Sequence, residues 1–373
     1  MIKSQYKVNM GNKKKILIIV IIVLMIAIFC GVFGSIVWFN NMLKPVNESS
    51  TETKKVEIEQ GLSTVKIIEK LKQEELIKDE LATKIFIKLN NVNSLKAGKY
   101  ELSPSMSLEK ILQTMVDGDV INEEITITFK EGKNIRWIAK KIAEETSNSE
   151  EDVYNKLSDR EYISNLIEKY WFLTDEIQNE DIYYALEGYL FPETYTFKNK
   201  DVTVEEIFKQ MLDQTDQILN KYKKYIDKTG YSVHQLLTIG SIIELEGKDV
   251  ESRRGISSVI YNRLKSNMSL GSDVTTYYAI KVDMGERNLT SKELNTYNAY
   301  NTRGPNMQGK LPVGPIASVS EESIKCAIAP IKSDYLYFVA DKNGKIYFSK
   351  TNDEHNKIIS ELKQNKLWFT YEQ

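Results

Sequence analysis

Between Ile16 and Phe39 the chain carries no charged side chain, a run of about 24 residues that would span roughly 36 Å as a helix. A hydrocarbon core is about 30 Å thick, so this segment is long enough to cross one. Lys3, Lys7, Lys13, Lys14 and Lys15 precede it with no acidic residue among them. That bias predicts a cytoplasmic tail over 1–15, a membrane-spanning helix over 16–39, and the rest of the chain on the far side, in a single-pass topology. A cleavable signal peptide shares the order of charge and apolar run, but this run is too long and the stretch from Cys30 to Ser35 has no clean small-x-small cleavage site. Phe29 directly before Cys30 argues against lipidation there.

The net charge of -2 becomes -7 once the five lysines before Ile16 are set aside, which leaves no basic field for a nucleic acid. Cys30 lies in the apolar run and Cys326 far beyond it, so no disulfide is expected.

Residues 40–55 have the composition of a solvated linker. Folded pattern begins at Val56: Val56, Ile58 and Gly61 read as strand and turn, and Ser63 as the cap of a helix. The phrase recurs with Ile125, Ile127, Phe129 and Gly132, followed by a helix through Ile135, Ile138 and Ile142. Between the two copies, Ala97–Leu102 reads as a strand, and Ser107 caps a helix ending at Gly118. Residues 150–179 read as helical. The loop from Leu186 to Tyr195, which breaks the helical pattern with Gly188, Pro192 and aromatics, is a candidate to line a sugar site. Thr203 and Glu206 form a capping box for a helix to about Tyr225, and Val233–Glu246 is a second, more apolar helix. Alternation over 335–349 around an Asp341–Gly344 turn predicts a hairpin, with Tyr337 and Phe338 on its two faces. The fold class expected is α+β.

Only His234 and His355 are present, and neither has metal-ligand spacing, so a zinc hydrolase is excluded and a Ser-His-Asp hydrolase has no nucleophile motif. No phosphate- or dinucleotide-binding loop occurs, and no cofactor or metal is implied. Carboxylates remain. Glu244 lies on a helical stripe with Ser241, Gly240, Leu237 and Val233, whereas Glu246 shares a stripe with Ile239, Ile242 and Ile243. The two glutamates point about 200° apart and cannot form one acid-base pair. Small neighbours favour Glu244 as the functional one, with an ion pair to Arg253, Arg254 or Arg263 as the structural alternative. Arg263 itself reads as an ion-pair partner.

Several phrases, taken in order, resemble one known family. They are Ala97–Tyr100, Leu186–Tyr195, Gly240–Glu246, Ser258–Leu264, Leu311–Ile316 and Asp334–Lys350, and the chain from Val56 onward is similar to the endolytic murein transglycosylases, the YceG-like lytic transglycosylases. The resemblance implies a LysM-like module over 56–122 and a catalytic domain over 123–373. It also implies a substrate of peptidoglycan glycan strands, and wall synthases of the penicillin-binding class as partners at the cell membrane. The family's catalytic acid falls on Glu244, which would cleave the MurNAc–GlcNAc bond with closure of a 1,6-anhydro ring and so terminate nascent strands. Ser241, Tyr189, Tyr195, Tyr297, Asn298 and Tyr300 are candidate substrate contacts. Glu187 and Asp273 are the candidate partners if the enzyme is instead a two-carboxylate muramidase. A noncatalytic glycan-binding scaffold is the reading from a different class. Two segments depart from the family pattern: Leu270–Thr275, and Tyr297–Tyr300 with the long stretch to Lys310.

Overall fold

The computed structural model describes residues 9–368 apart from Asn93 and Asn122. The first eight residues of the expected cytoplasmic tail, and the last residue of the expected LysM-like module, lie outside the described residues. The chain divides into two compact units, 1–122 and 123–373.

The first unit opens with α1 (Asn9–Met42), of which Lys15–Met42 is apolar and long enough to cross a membrane. Its large apolar side chains from Ile16 to Trp38 lie exposed, which water does not tolerate over so continuous a surface. The order then runs β1 (Lys54–Ile58), α2 (Thr64–Gln73), α3 (Glu80–Leu89), β2 (Gly98–Leu102) and α4 (Leu108–Asp117). β1 and β2 pair antiparallel, with Val56 opposite Tyr100. Val56, Ile58, Tyr100 and Leu102 alternate inward and pack on Ile68 and Leu71 of α2 and Ile111 and Met115 of α4. The expected caps form: the Lys66 and Lys110 amides donate to Ser63 and Ser107, and Gly118 takes the left-handed φ of 78° that ends α4.

In the second unit, β3 (Ile125–Thr128) pairs antiparallel with β4 (Thr194–Phe197) across nearly 70 residues. The intervening chain forms α5 (Ile135–Glu145), α6 (Glu150–Ser158), α7 (Arg160–Lys169) and a 3-10 turn at Asp175–Gln178. The helical stretch expected over 150–179 is thus broken, because Asp159 ends α6 and its carboxylate caps α7 at Tyr162. There follow α8 (Val204–Thr229), α9 (Val233–Glu246), α10 (Val250–Lys265), α11 (Asp273–Ala279), α12 (Ser291–Leu294), α13 (Glu321–Ile328), the hairpin β5 (Tyr337–Ala340) and β6 (Ile346–Ser349), and α14 (Asn352–Gln364). The Thr203–Glu206 capping box is present, and α8 runs four residues past the expected Tyr225. Tyr337 stacks on His355 while Phe348 lies against Gly255.

α9 is the central helix, buried on nearly all sides from His234 to Ile243. It packs on α10 and α13. Gly240 permits the close approach to the segment before α13: a Cβ there would sit 2.9 Å from Val319 Cγ1.

Candidate active site

Glu244 is held in the last turn of α9 by three donors from two other elements. Arg253, in the first turns of α10, donates through Nη2 to Glu244 Oε1 at 2.6 Å. The Ser320 amide donates to Oε2 at 3.0 Å, and the Ser320 hydroxyl donates to the same oxygen. Ser320 is also the N-cap of α13, accepting from the Ser323 amide, so Oε2 sits where the helix end presents its free N–H groups. Arg253 is fixed in turn by bonds to Gly247 O and Ser320 Oγ. The side chains of Glu244 and Arg253 are only 4% and 14% exposed, which makes this a shielded pair rather than a loose surface contact.

A fourth element closes on the same point. The Gly132 amide donates to Ser318 O at 2.9 Å, and the Ser318 amide to Lys133 O at 2.8 Å. These bonds lock the turn after β3 to the segment that carries Ser320. Gly132 has a φ of 68°, a conformation glycine adopts without strain, and a Cβ on it would sit 3.7 Å from Glu244 Cγ. The turn thereby brings Glu131 to the mouth of the site.

Glu244 and Glu131 line one cleft of about 350 Å³ with Lys133, Arg136, Trp137 and Tyr278. Charged and aromatic side chains facing a groove of this size suit a sugar, whose hydroxyls need partners and whose apolar faces need flat surfaces. A larger open cavity of 830 Å³ lies around His234, Tyr231 and Tyr261; Glu244 does not line it. Among the described residues no three His, Cys, Asp or Glu side chains gather as a metal site would need.

Of the residues singled out from sequence, Glu244 is the one that lines this cleft. Glu187 is 2% exposed, accepting the Ile135 amide at 3.0 Å and the Tyr278 hydroxyl at 2.9 Å. It ties the start of α5 to α11 from behind the cleft wall, and burial pushes its carboxyl up to about 7 against those two bonds. Tyr189, Tyr195, Ser241 and Tyr300 are buried in the core. Tyr189 bonds His234 Nδ1, Tyr195 donates to Phe191 O, and Ser241 accepts the Ile316 amide. Tyr300 packs tilted against Tyr183 and edge-on to Tyr278, both at 4.8 Å, and backs the cleft without facing it. The small residues on the stripe of Glu244 therefore make room for the chain at Ile316–Ser320, not for a sugar. The loop from Leu186 is likewise packed inward, its Gly188 against Pro315.

Asp273 is paired with Arg303 at the surface. Tyr297 is 56% exposed, and Asn298 donates to the Tyr183 hydroxyl. Arg263 makes no ion pair among the described residues; it donates to the carbonyls of Leu336, Ser269 and Leu270. The residues that sequence reasoning missed are Glu131, Arg136, Trp137, Tyr278 and Ser320. One signal pointed to the first: Glu131 directly precedes the glycine of the repeated strand–turn–helix phrase.

A carboxylate shielded from water, fed by an arginine and a helix N-terminus and open to a polar-aromatic groove, is the kind of site that performs proton transfer on a carbohydrate. The comparisons with known proteins agree on the family. The model of the YceG-like family matches residues 56–361, and the chain belongs to that family. An endolytic murein transglycosylase of Bacillus subtilis is 37% identical over 326 residues, spanning 87% of this chain and 89% of the relative. One from Streptococcus pneumoniae is 32% identical over 356 residues, 90% of this chain and 63% of the relative. The crystal structure of a YceG-like protein from Listeria monocytogenes superposes with a TM-score of 0.59 at 38% identity, covering 83% of this chain and all of that one.

Proposed function

We propose that this protein is a peptidoglycan lytic transglycosylase, anchored in the cell membrane by α1, with its second unit as the catalytic domain on the far side from the cytoplasm. The observation that carries the reading is the placement of Glu244, the residue matching the family's acid, at the meeting of α9, α10 and the N-terminus of α13 inside the cleft.

The reaction requires a proton on the leaving oxygen while positive charge grows on the departing sugar carbon. Glu244 serves as general acid at the MurNAc–GlcNAc bond and then as general base on the muramic 6-hydroxyl. The C1–O bond to the leaving sugar breaks, the C1–O6 bond forms, and the 1,6-anhydro ring closes without water. An attacking group already tethered to the reacting sugar removes the need for a carboxylate that positions water. Arg253 and Ser320 orient the carboxyl, and their donated hydrogen bonds stabilise it whenever it is ionised. Trp137, only partly buried in the cleft wall, offers a flat face to a pyranose ring.

The first unit after α1 is read as a LysM-like glycan-holding module; its strand–helix–helix–strand order with paired strands supports that reading. An anchored enzyme meets strands as they emerge near the membrane, so the role inferred is termination of nascent strands beside penicillin-binding synthases.

The test is to incubate full-length protein in detergent with purified glycan strands and analyse the ends by mass spectrometry. New anhydro-muramic ends that vanish with Glu244→Gln are the expected result. Ordinary reducing ends would identify a muramidase, and undiminished anhydro ends from the variant would remove Glu244 from the mechanism. No new ends from the wild type would leave a glycan-binding scaffold.

A further inference from the structure

Both oxygens of Glu244 already accept hydrogen bonds, yet the proposed reaction begins with Glu244 giving a proton. The proton needs a source inside the cleft. Two further carboxylates line it, Glu131 and Asp283, and Asp283 is already paired with Arg136 at 2.7 Å, which leaves Glu131. It is exposed to the cleft and borne on the turn whose glycine lies against the Glu244 side chain. That turn is rigid for two independent reasons: the paired bonds between Gly132, Lys133 and Ser318, and the bond from the Phe129 amide to Glu193 O.

We propose that Glu131 is a positioning residue of the reaction that stores the proton Glu244 delivers, passing it to Glu244 when a glycan fills the cleft and taking it back at the end of the cycle. This rests on the reading of Glu244 as the acid-base group. The balance is closed. The O–H bond of Glu131 breaks as one forms on Glu244, and Glu244 then protonates the leaving oxygen. The 6-hydroxyl proton returns to Glu244 and from there to Glu131, with no oxidant, reductant or water consumed.

The surroundings favour this division of roles. Partial desolvation and then the charge of Glu244 raise the Glu131 carboxyl above its ordinary range, with Glu193 and Glu322 adding to the effect and Arg253 opposing it. Lys133, next in the turn, also lines the cleft but reaches over Trp137 at 5.9 Å. Glu244 instead receives its three donors directly. Carboxyls that share a cleft in settings this different take different parts in a proton transfer.

The experiment is the pH profile of strand cleavage by full-length wild type and Glu131→Gln, with carboxyl-carbon NMR titration of Glu131 in wild type and in Glu244→Gln. The alkaline limb of Glu131→Gln is expected to move down by about one pH unit, so that the variant approaches wild type at acid pH and falls about tenfold behind above the limb. In the titration, the Glu131 midpoint is expected to drop when Glu244 loses its charge. A variant slowed equally at every pH, or not slowed at all, would overturn the proposal, as would a Glu131 midpoint that ignores Glu244. Neither result would restore activity to Glu244→Gln, so failure of this inference is distinguishable from failure of the Glu244 reading.

Discussion

Glu187→Gln isolates the energetic consequence of placing a carboxyl behind the cleft wall. Glu187 is fully enclosed, with two donors and no fixed counter-charge bonded to it among the described residues, and its carboxyl is pushed from 4.5 up to about 7. At about 1.4 kcal/mol per pH unit, that rise corresponds to about 3 kcal/mol between the two protonation states. Below about pH 4.5 the group is protonated in folded and unfolded chains alike, and glutamine is a close substitute. Between about pH 4.5 and about 7 the unfolded chain releases the proton while the folded chain keeps it. Wild-type stability must therefore fall as pH rises through this window, and the fall stops once the folded carboxyl has also ionised. Urea unfolding of full-length wild type and variant from about pH 4 to about 8, taken as a difference, cancels every other carboxyl. The variant is expected to gain about 3 kcal/mol on wild type across that range. A difference constant to within about 0.5 kcal/mol, the scale on which such extrapolations are trusted, would refute the reasoning.

Arg253→Ala leaves the shielded Glu244 carboxylate without its cation, and a loss of about 3–5 kcal/mol is expected by thermal or chemical unfolding, together with loss of cleavage. Gly240→Ala drives a methyl to 2.9 Å from Val319 Cγ1; it is expected to destabilise by about 1–3 kcal/mol. Because the displaced segment carries Ser320, the same variant should lose more activity than its stability loss accounts for, checked by assaying both at a temperature where it remains folded.

The parts of this fold that were legible in the sequence are those decided within a few residues. Ser63, Ser107 and the Thr203–Glu206 pair are caps because a hydroxyl meets an amide three positions on, and α9 was readable from Val233 to Glu246 because both its ends carry local signals. The bend between α6 and α7 escaped because Asp159 serves both helices, which periodicity alone does not reveal. The site was harder to read. Glu244 is legible from its stripe, but the small residues beside it make space for Val319 and for the Ile316 amide, a long-range packing that the stripe does not reveal. Tyr189, Tyr195 and Tyr300 look like sugar contacts by type, and their hydroxyls find partners inside the core instead. Glu131 and Ser320 come to Glu244 through the long-range β3–β4 pairing and the Gly132–Ser318 bonds; the repeated strand–turn–helix phrase marks the turn that bears Glu131, but nothing local announces that the three residues meet.

The two segments that depart from the family pattern are bound to each other. The Ser272 amide donates to Thr302 Oγ1, the Thr276 hydroxyl to Asn301 Oδ1, and Arg303 pairs with Asp273. Asn301, Thr302, Thr275 and Thr276 are all at most 1% exposed. A change on one side alone strands a polar group in the interior. What looks like two separate divergences along the chain is thus one packed unit in space, and it reaches the cleft through Val274, Tyr277 and Tyr278 of α11.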